Sequence, residues 1–159
     1  MSETKIRVKI AAGLTIDDPP ATVKWGTSES ELQALLGPVL RHVTKGYWTA
    51  HVQVFGGLRC SLGFHFDRER DALEELEFFR DSYSDQKESF DEFQRFFEAT
   101  FGPPTTTEDG TEGFANYVWS IGPIEIVHYV FDRFGPEEHM RIRRRLGFLQ
   151  RLRRFIGAA

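Results

Sequence analysis

The strongest constraint on this chain is a match between its two halves. Leu36-Gly37-Pro38 recurs as Phe101-Gly102-Pro103, and Phe64-x-Phe66-Asp67-Arg68 recurs as Tyr129-x-Phe131-Asp132-Arg133. Leu36 to Phe101 and Phe64 to Tyr129 are the same step of 65 residues, and that step also carries Gly57 onto Gly122, Val54 onto Trp119 and Leu62 onto Val127. Either motif alone is weak. A shared step over a gapless stretch points to duplication of one supersecondary unit. The expected organisation of residues 1–159 is a single domain whose two halves share a core.

Each half opens on a helix. Ser28 and Glu31 form a capping box ahead of Leu32, Leu35 and Leu36, and Gly37-Pro38 stops the ladder. Ser89 and Glu92 suggest the same box for the second helix, whose stripe is Phe93, Phe96, Phe97 and Phe101. Strands follow in the first half. Trp48, Ala50, Val52 and Val54 alternate with Thr49, His51 and Gln53. Gly56-Gly57 marks a turn, after which Leu58 to Phe66 alternate with Arg59, Ser61, Gly63 and His65. This is a hairpin with one solvated face. Leu76 and Phe78 suggest a third strand, although 72–80 is rich enough in Glu and Leu to be helical.

The second half predicts strands over 114–120, 124–131 and 139–143. Its alternation is less clean, because Ile124, Ile126 and Val130 fall where the first copy is polar and Glu125 takes the place of Cys60. Either this hairpin is apolar on both faces or its register differs. The resulting fold class is α+β: two tandem α-β-β-β repeats, at 22–81 and 89–143, form an antiparallel sheet with helices on one face. A C-terminal amphipathic helix over 146–157 would cover part of it. Residues 5–11 alternate like an additional strand.

The segment Trp25-Gly26-x-Ser28-x-x-Glu31-Leu32-x-x-Leu35-Leu36-Gly37, with the repeated helix-plus-three-strand order over 22–143, resembles the beta-lactamase-inhibitor-protein-like fold. It is also similar to the helix entry of small outer-membrane assembly lipoproteins. The resemblance implies a continuous sheet with helices on one face and a binding surface on the other.

Composition narrows the function classes. The formal net charge is -4, which opposes wrapping a polyanion and disfavours nucleic acid as a partner. A single cysteine, Cys60, excludes an internal disulfide and a cysteine metal cluster, and its alternation places it inward. The first residues lack an apolar secretory segment and no run has the length of a membrane span, so the expectation is a cytoplasmic chain with no membrane contact.

Catalytic patterns are sparse. Gly56-Gly57 lies between strands, so it is no phosphate cradle, and no Gly-x-Ser-x-Gly elbow occurs. The five histidines have no helical zinc spacing, and no metal or cofactor is expected. His51 and His65 share the polar side of the first hairpin. With Asp67 they define the alternative reading, a small enzyme or ligand-binding protein with a pocket there. Asp67-Arg68 and Asp132-Arg133 also fit turn chemistry at strand ends.

The preferred expectation is a non-enzymatic protein-binding module, in one concrete form a bacterial immunity protein that neutralises a toxin domain by direct binding. Its partner-binding residues are His51, Gln53, Arg59 and His65, on alternating positions of adjacent strands. A secondary basic patch comprises Arg143, Arg144, Arg145 and Arg151. The sequence sets no oligomeric state.

Overall fold

The computed structural model describes residues 9–132 and 136–145. In chain order its elements are β1 (Gly13–Asp18), β2 (Ala21–Lys24), α1 (Glu29–Leu36), a 3-10 turn (Gly37–Val39), β3 (Arg41–Thr44), β4 (Tyr47–Val54), β5 (Leu58–Asp67) and β6 (Ala72–Phe79). Then come α2 (Gln86–Phe101), β7 (Thr106–Glu108), β8 (Asn116–Ile121), β9 (Ile124–Asp132) and β10 (Pro136–Arg144). The fold is α+β. One ten-stranded antiparallel sheet runs β2-β1-β4-β5-β6-β10-β9-β8-β7, with β3 also paired to β4. The halves join at β6 and β10, where Leu76 opposes Ile142 and Phe78 opposes Met140.

Period-2 alternation gives the sheet an inner, apolar face. Leu14, Ile16, Val52, Val54, Leu62, Phe64, Leu76, Phe78, Trp119, Ile126 and Ile142 are buried there in one core with Leu32 and Leu36 of α1 and Phe93, Phe97 and Phe101 of α2. The Phe97 ring meets Phe55, Phe78 and Trp119 edge-on at 5.6, 5.6 and 5.9 Å, the geometry aromatic quadrupoles favour. Phe96 is only partly buried at the margin of this core.

Both halves run helix then strands, but each carries four strands rather than three. The added members, β3 and β7, are edge strands of four and three residues, too short to show alternation. The capping box of α1 is present: Glu31 N–H donates to Ser28 Oγ at 3.2 Å, and Ser28 N–H to the Glu31 carboxylate at 2.9 Å. The second helix starts a turn earlier than its Ser89-Glu92 box suggests. Asp85 caps it, accepting from Glu88 N–H at 2.8 Å, and Ser89 lies inside the helix, buried. The segment 72–79 is a strand, because alternate Leu76 and Phe78 are fully buried while Glu75 and Glu77 are not.

The expected strand at 5–11 is corrected for its described part. Residues 9–12 are helical, Ile10 enters the core, and its carbonyl accepts from Trp25 Nε1–H at 2.8 Å. Residues 5–8 lie outside the described residues, as does the expected helix at 146–157.

The gapless step between the copies is also corrected. Phe64 and Phe66 are in the core, whereas their matches on β9 lie on the other face: Tyr129 stacks on His139, and Phe131 is 48% exposed. Ile124, Ile126, His128 and Val130 point inward instead. The first hairpin closes with Val54 opposite Leu58, around Phe55-Gly56-Gly57. The second closes with Ile121 opposite Ile124, around Gly122-Pro123. In a strand a one-residue slip exchanges every side chain between faces, and burial of two Ile and a Val decides which face wins.

Candidate functional site on the outer sheet face

No described helix covers the sheet face opposite α1 and α2. Three adjoining hollows run across it, of about 500, 340 and 280 Å³. The first and second share Val39, His51, Ser61 and Asp81; the second and third share Tyr47 and Phe79. Together they form a trough from Arg59 to Glu137. Val39 and Val43, 40% and 51% exposed, give its middle an apolar rim.

At the first hollow, β4 and β5 place His51 opposite Ser61 and Gln53 opposite Arg59. The Ser61 hydroxyl lies 3.0 Å from His51 Nδ1 and 3.1 Å from Asp81 Oδ1, and His51 Nε2 is 3.3 Å from Asp81 Oδ2. A serine, an imidazole and a carboxylate in contact is the grouping of an activated nucleophile. The surroundings do not complete it. Ser61 pairs with His51 on one side and Phe79 on the other, so the backbone N–H groups around it belong to the sheet ladder rather than to an oxyanion hole. The His51 side chain is 79% exposed. The set reads as a hydrogen-bonded surface triangle.

Towards the seam, a second network orders the face. The Tyr47 ring stacks on His65 at 4.4 Å and lies over Gly63, where an added Cβ would meet it at 2.8 Å. His65 Nε2 is 2.9 Å from Glu77 Oε2. Arg141 then spans the seam, donating to Glu75 at 2.7 Å and to Glu77 at 3.1 Å. The hydrogen bond from His65, followed by the Arg141 charge, holds the Glu77 carboxyl below its usual range against the effect of burial. Burial and the neighbouring Glu77 carboxylate push the Tyr47 phenol up. Burial, with Arg141 beside it, pushes the His139 imidazole down.

The structure therefore brings His51, Gln53 and Arg59 together and leaves His65 apart, four positions along β5 from Ser61, about 13 Å away. Among the described residues Arg59 has no ion-pair partner and is exposed. Asp67 does not join the histidines. It is 8% exposed and caps its own turn, accepting from Glu69 N–H, Arg70 N–H and the Arg70 guanidinium at 3.0, 3.1 and 2.9 Å. The basic patch is only partly compensated, by one shared carboxylate. Arg143 and Arg145 both pair with the buried Glu125 carboxylate, Arg144 is half-buried, and Arg151 lies outside the described residues. Cys60 is buried, and desolvation pushes its thiol up to about 12, which keeps it protonated and inert.

Sequence reasoning missed Tyr47, Phe79 and Asp81, and it grouped Arg141 with the C-terminal arginines rather than with this face. The outward parity of Phe79 was readable from its Glu75-Glu77 neighbours. Asp81 and Arg141 reach the face only through register and seam pairing. It also missed an inner polar cluster. His128, fully buried and stacked on Phe90 at 4.0 Å, contacts Gln94 Oε1 at 2.8 Å through Nδ1 and Glu138 Oε1 at 2.9 Å through Nε2. Ser89 Oγ donates to the other Glu138 oxygen at 3.0 Å. Burial pushes His128 below the usual imidazole range, against the pull of Glu138.

Among the described residues no group of three or more His, Cys, Asp or Glu is arranged to hold a metal ion, and no helix is long and apolar enough to cross a membrane. No family model matches the chain, and no curated protein matches it. Among solved structures it is similar to a DUF4309 family protein (YjgB) from Bacillus subtilis subsp. subtilis str. 168, at 14% identity and a TM-score of 0.48, over 90% of this chain and 93% of that one. A likeness at that level carries no argument about function.

Proposed function

We propose that this chain is a non-enzymatic protein-binding module whose partner docks along the trough of the outer sheet face. The observation that carries the reading is the trough itself: a solvated strand face with adjoining hollows, an apolar rim at Val39 and Val43, and at one end Arg59, which has no ion-pair partner among the described residues. Protein interfaces combine such apolar anchors with a few desolvated polar groups, and arginine is prominent among the residues that dominate them. His51, Gln53 and Arg59 are the contacts at the first hollow, and His65 acts through Tyr47 at the next. The narrower form is an immunity protein that occludes a toxin domain. It is supported only by the class-level resemblance of the sequence to inhibitor-like folds with one open sheet face.

The test uses the chain as bait to isolate a stoichiometric partner, followed by calorimetric titration of Arg59→Glu. Affinity should fall by about 2–5 kcal/mol, as for loss of a close interfacial charge pair. The melting temperature should stay level, because an exposed charge contributes little to folding. Absence of any stoichiometric partner, together with turnover of a small substrate abolished by His51→Ala, would overturn the reading.

A further inference from the structure

The third hollow differs in chemistry from the rest of the trough. Its floor is Glu77 and Phe79 of β6; Tyr47 and His139 rise from β4 and β10 on either side, and Tyr83 and Glu137 stand at its mouth. The Glu137 side chain is 64% exposed, and His139 Nε2 lies 3.9 Å from its carboxylate. Among the described residues two cations stand by the hollow: Arg80, paired with Glu92 at 2.7 Å and lying over the Phe93 ring at 4.9 Å, and Arg141, shared between Glu75 and Glu77 at 2.7 and 3.1 Å. Among the described residues carboxylates therefore outnumber cations around the opening, with Glu77, Glu137 and Glu138 in its lining. Burial, then Glu138 and Glu137, push the Tyr83 phenol up, and burial and Glu77, against Arg141, push the Tyr47 phenol up. Electron-rich ring faces beside carboxylates attract cations and repel anions. The formal charge of -4 for the whole chain favours approach of a basic partner in the same sense.

We propose that this hollow seats one cationic side chain, a lysine or arginine, projecting from a protein partner. The inference rests on the reading of the outer face as a protein-binding surface and deepens it. The partner presents an acidic group to Arg59 at one end of the trough and a basic side chain to the tyrosines and Glu137 at the other. At about 280 Å³ the hollow has room for a single such side chain rather than a helix.

The probes are N-acetyl-arginine-N-methylamide, its lysine equivalent, and capped citrulline as the neutral isostere of arginine, titrated by amide chemical shift against the wild-type chain. Capped arginine or lysine should give saturable shifts at Tyr47, Tyr83, Glu137 and His139, with a dissociation constant on the order of millimolar. Citrulline should give none. Tyr83→Ala should weaken binding roughly 3- to 30-fold, and Glu137→Gln about 2- to 5-fold, both with unchanged melting temperature. Equal binding of citrulline, shifts elsewhere on the surface, no saturable shift, or indifference to both substitutions overturns the proposal. These titrations need no partner, so the two ideas fail separately. A captured partner that ignores Tyr83→Ala and Glu137→Gln removes the cation seat and leaves the binding module. Capped arginine bound with no partner captured removes the binding module alone.

Discussion

The two central hairpins, β4–β5 and β8–β9, hold matching places in the two halves and present different outer surfaces. The outer side of β4–β5 is polar, carrying His51, Gln53, Arg59, Ser61 and His65, over an inner side that is apolar throughout β5. The outer side of β8–β9 carries Val118, Val127, Tyr129 and Phe131, and its inner side admits the buried His128. The two halves share the order of elements without sharing which residues of β9 face the core. The slip follows from the tighter Gly122-Pro123 turn, and it confines the polar trough to the first half and the seam. Fold symmetry here does not carry site symmetry.

The helices differ in the same direction, and substitution there should give the largest effect. The shorter α1 anchors through Leu32 and Leu36, while α2 buries Phe90, Phe93, Phe97 and Phe101. Phe97→Ala should cost about 3–5 kcal/mol in denaturant unfolding, and its counterpart Leu32→Ala about 2–5 kcal/mol. Phe96→Ala should cost clearly less than Phe97→Ala, since Phe96 is only partly buried. Equal losses at Phe96 and Phe97 would contradict the stripe as placed.

The two halves should separate by pH. His128 and His139 of the second half are both held below the usual imidazole range. Between the folded and unfolded values the unfolded chain binds more protons. Their contribution to stability is therefore complete above about pH 6.5 and is lost as pH falls below it. Glu77 is held below the carboxylate range, so its contribution is present above about pH 4.3 and is lost as pH falls through its folded value. Melting temperature should be level above neutrality and fall in two stages on acidification. In His128→Gln the upper stage should shrink. An upper stage of unchanged size in that variant would remove His128 as its source.

The smallest effect tests the slip itself. Phe131→Ser should change stability by no more than about 0.5 kcal/mol, as for an ordinary surface site, while its sequence match Phe66→Ala costs about 3–5 kcal/mol. Comparable losses would place both residues in the core and restore the gapless step.

Much of the fold was legible where one local rule governs. The α1 cap, the Gly37-Pro38 stop and the β4–β5 hairpin follow from residues within a few positions of one another. The β9 face was open in sequence, because Ile124 and Ile126 argued against Tyr129 and Phe131, and only turn length decides between them. The α2 start was misread because Ser89-Glu92 and Asp85-Glu88 both satisfy capping spacing, and Ser89 is instead drawn to Glu138. Within the candidate site, the grouping of His51, Gln53 and Arg59 was legible, because they share one hairpin. Arg141 meets Glu75 and Glu77 across 66 and 64 residues, and Asp81 meets Ser61 from a loop. Such contacts depend on how strands pair across the seam, which no local pattern encodes.

The contrast between the halves makes its most direct claim about where a partner binds. One calorimetric series, titrating the isolated partner against wild type, Arg59→Glu and Phe131→Glu, puts a new charge on the outer face of each half in turn. Arg59→Glu should lose about 2–5 kcal/mol of binding, with Phe131→Glu matching wild type. Loss confined to Phe131→Glu, with Arg59→Glu binding normally, would contradict the account by moving the interface to the second half.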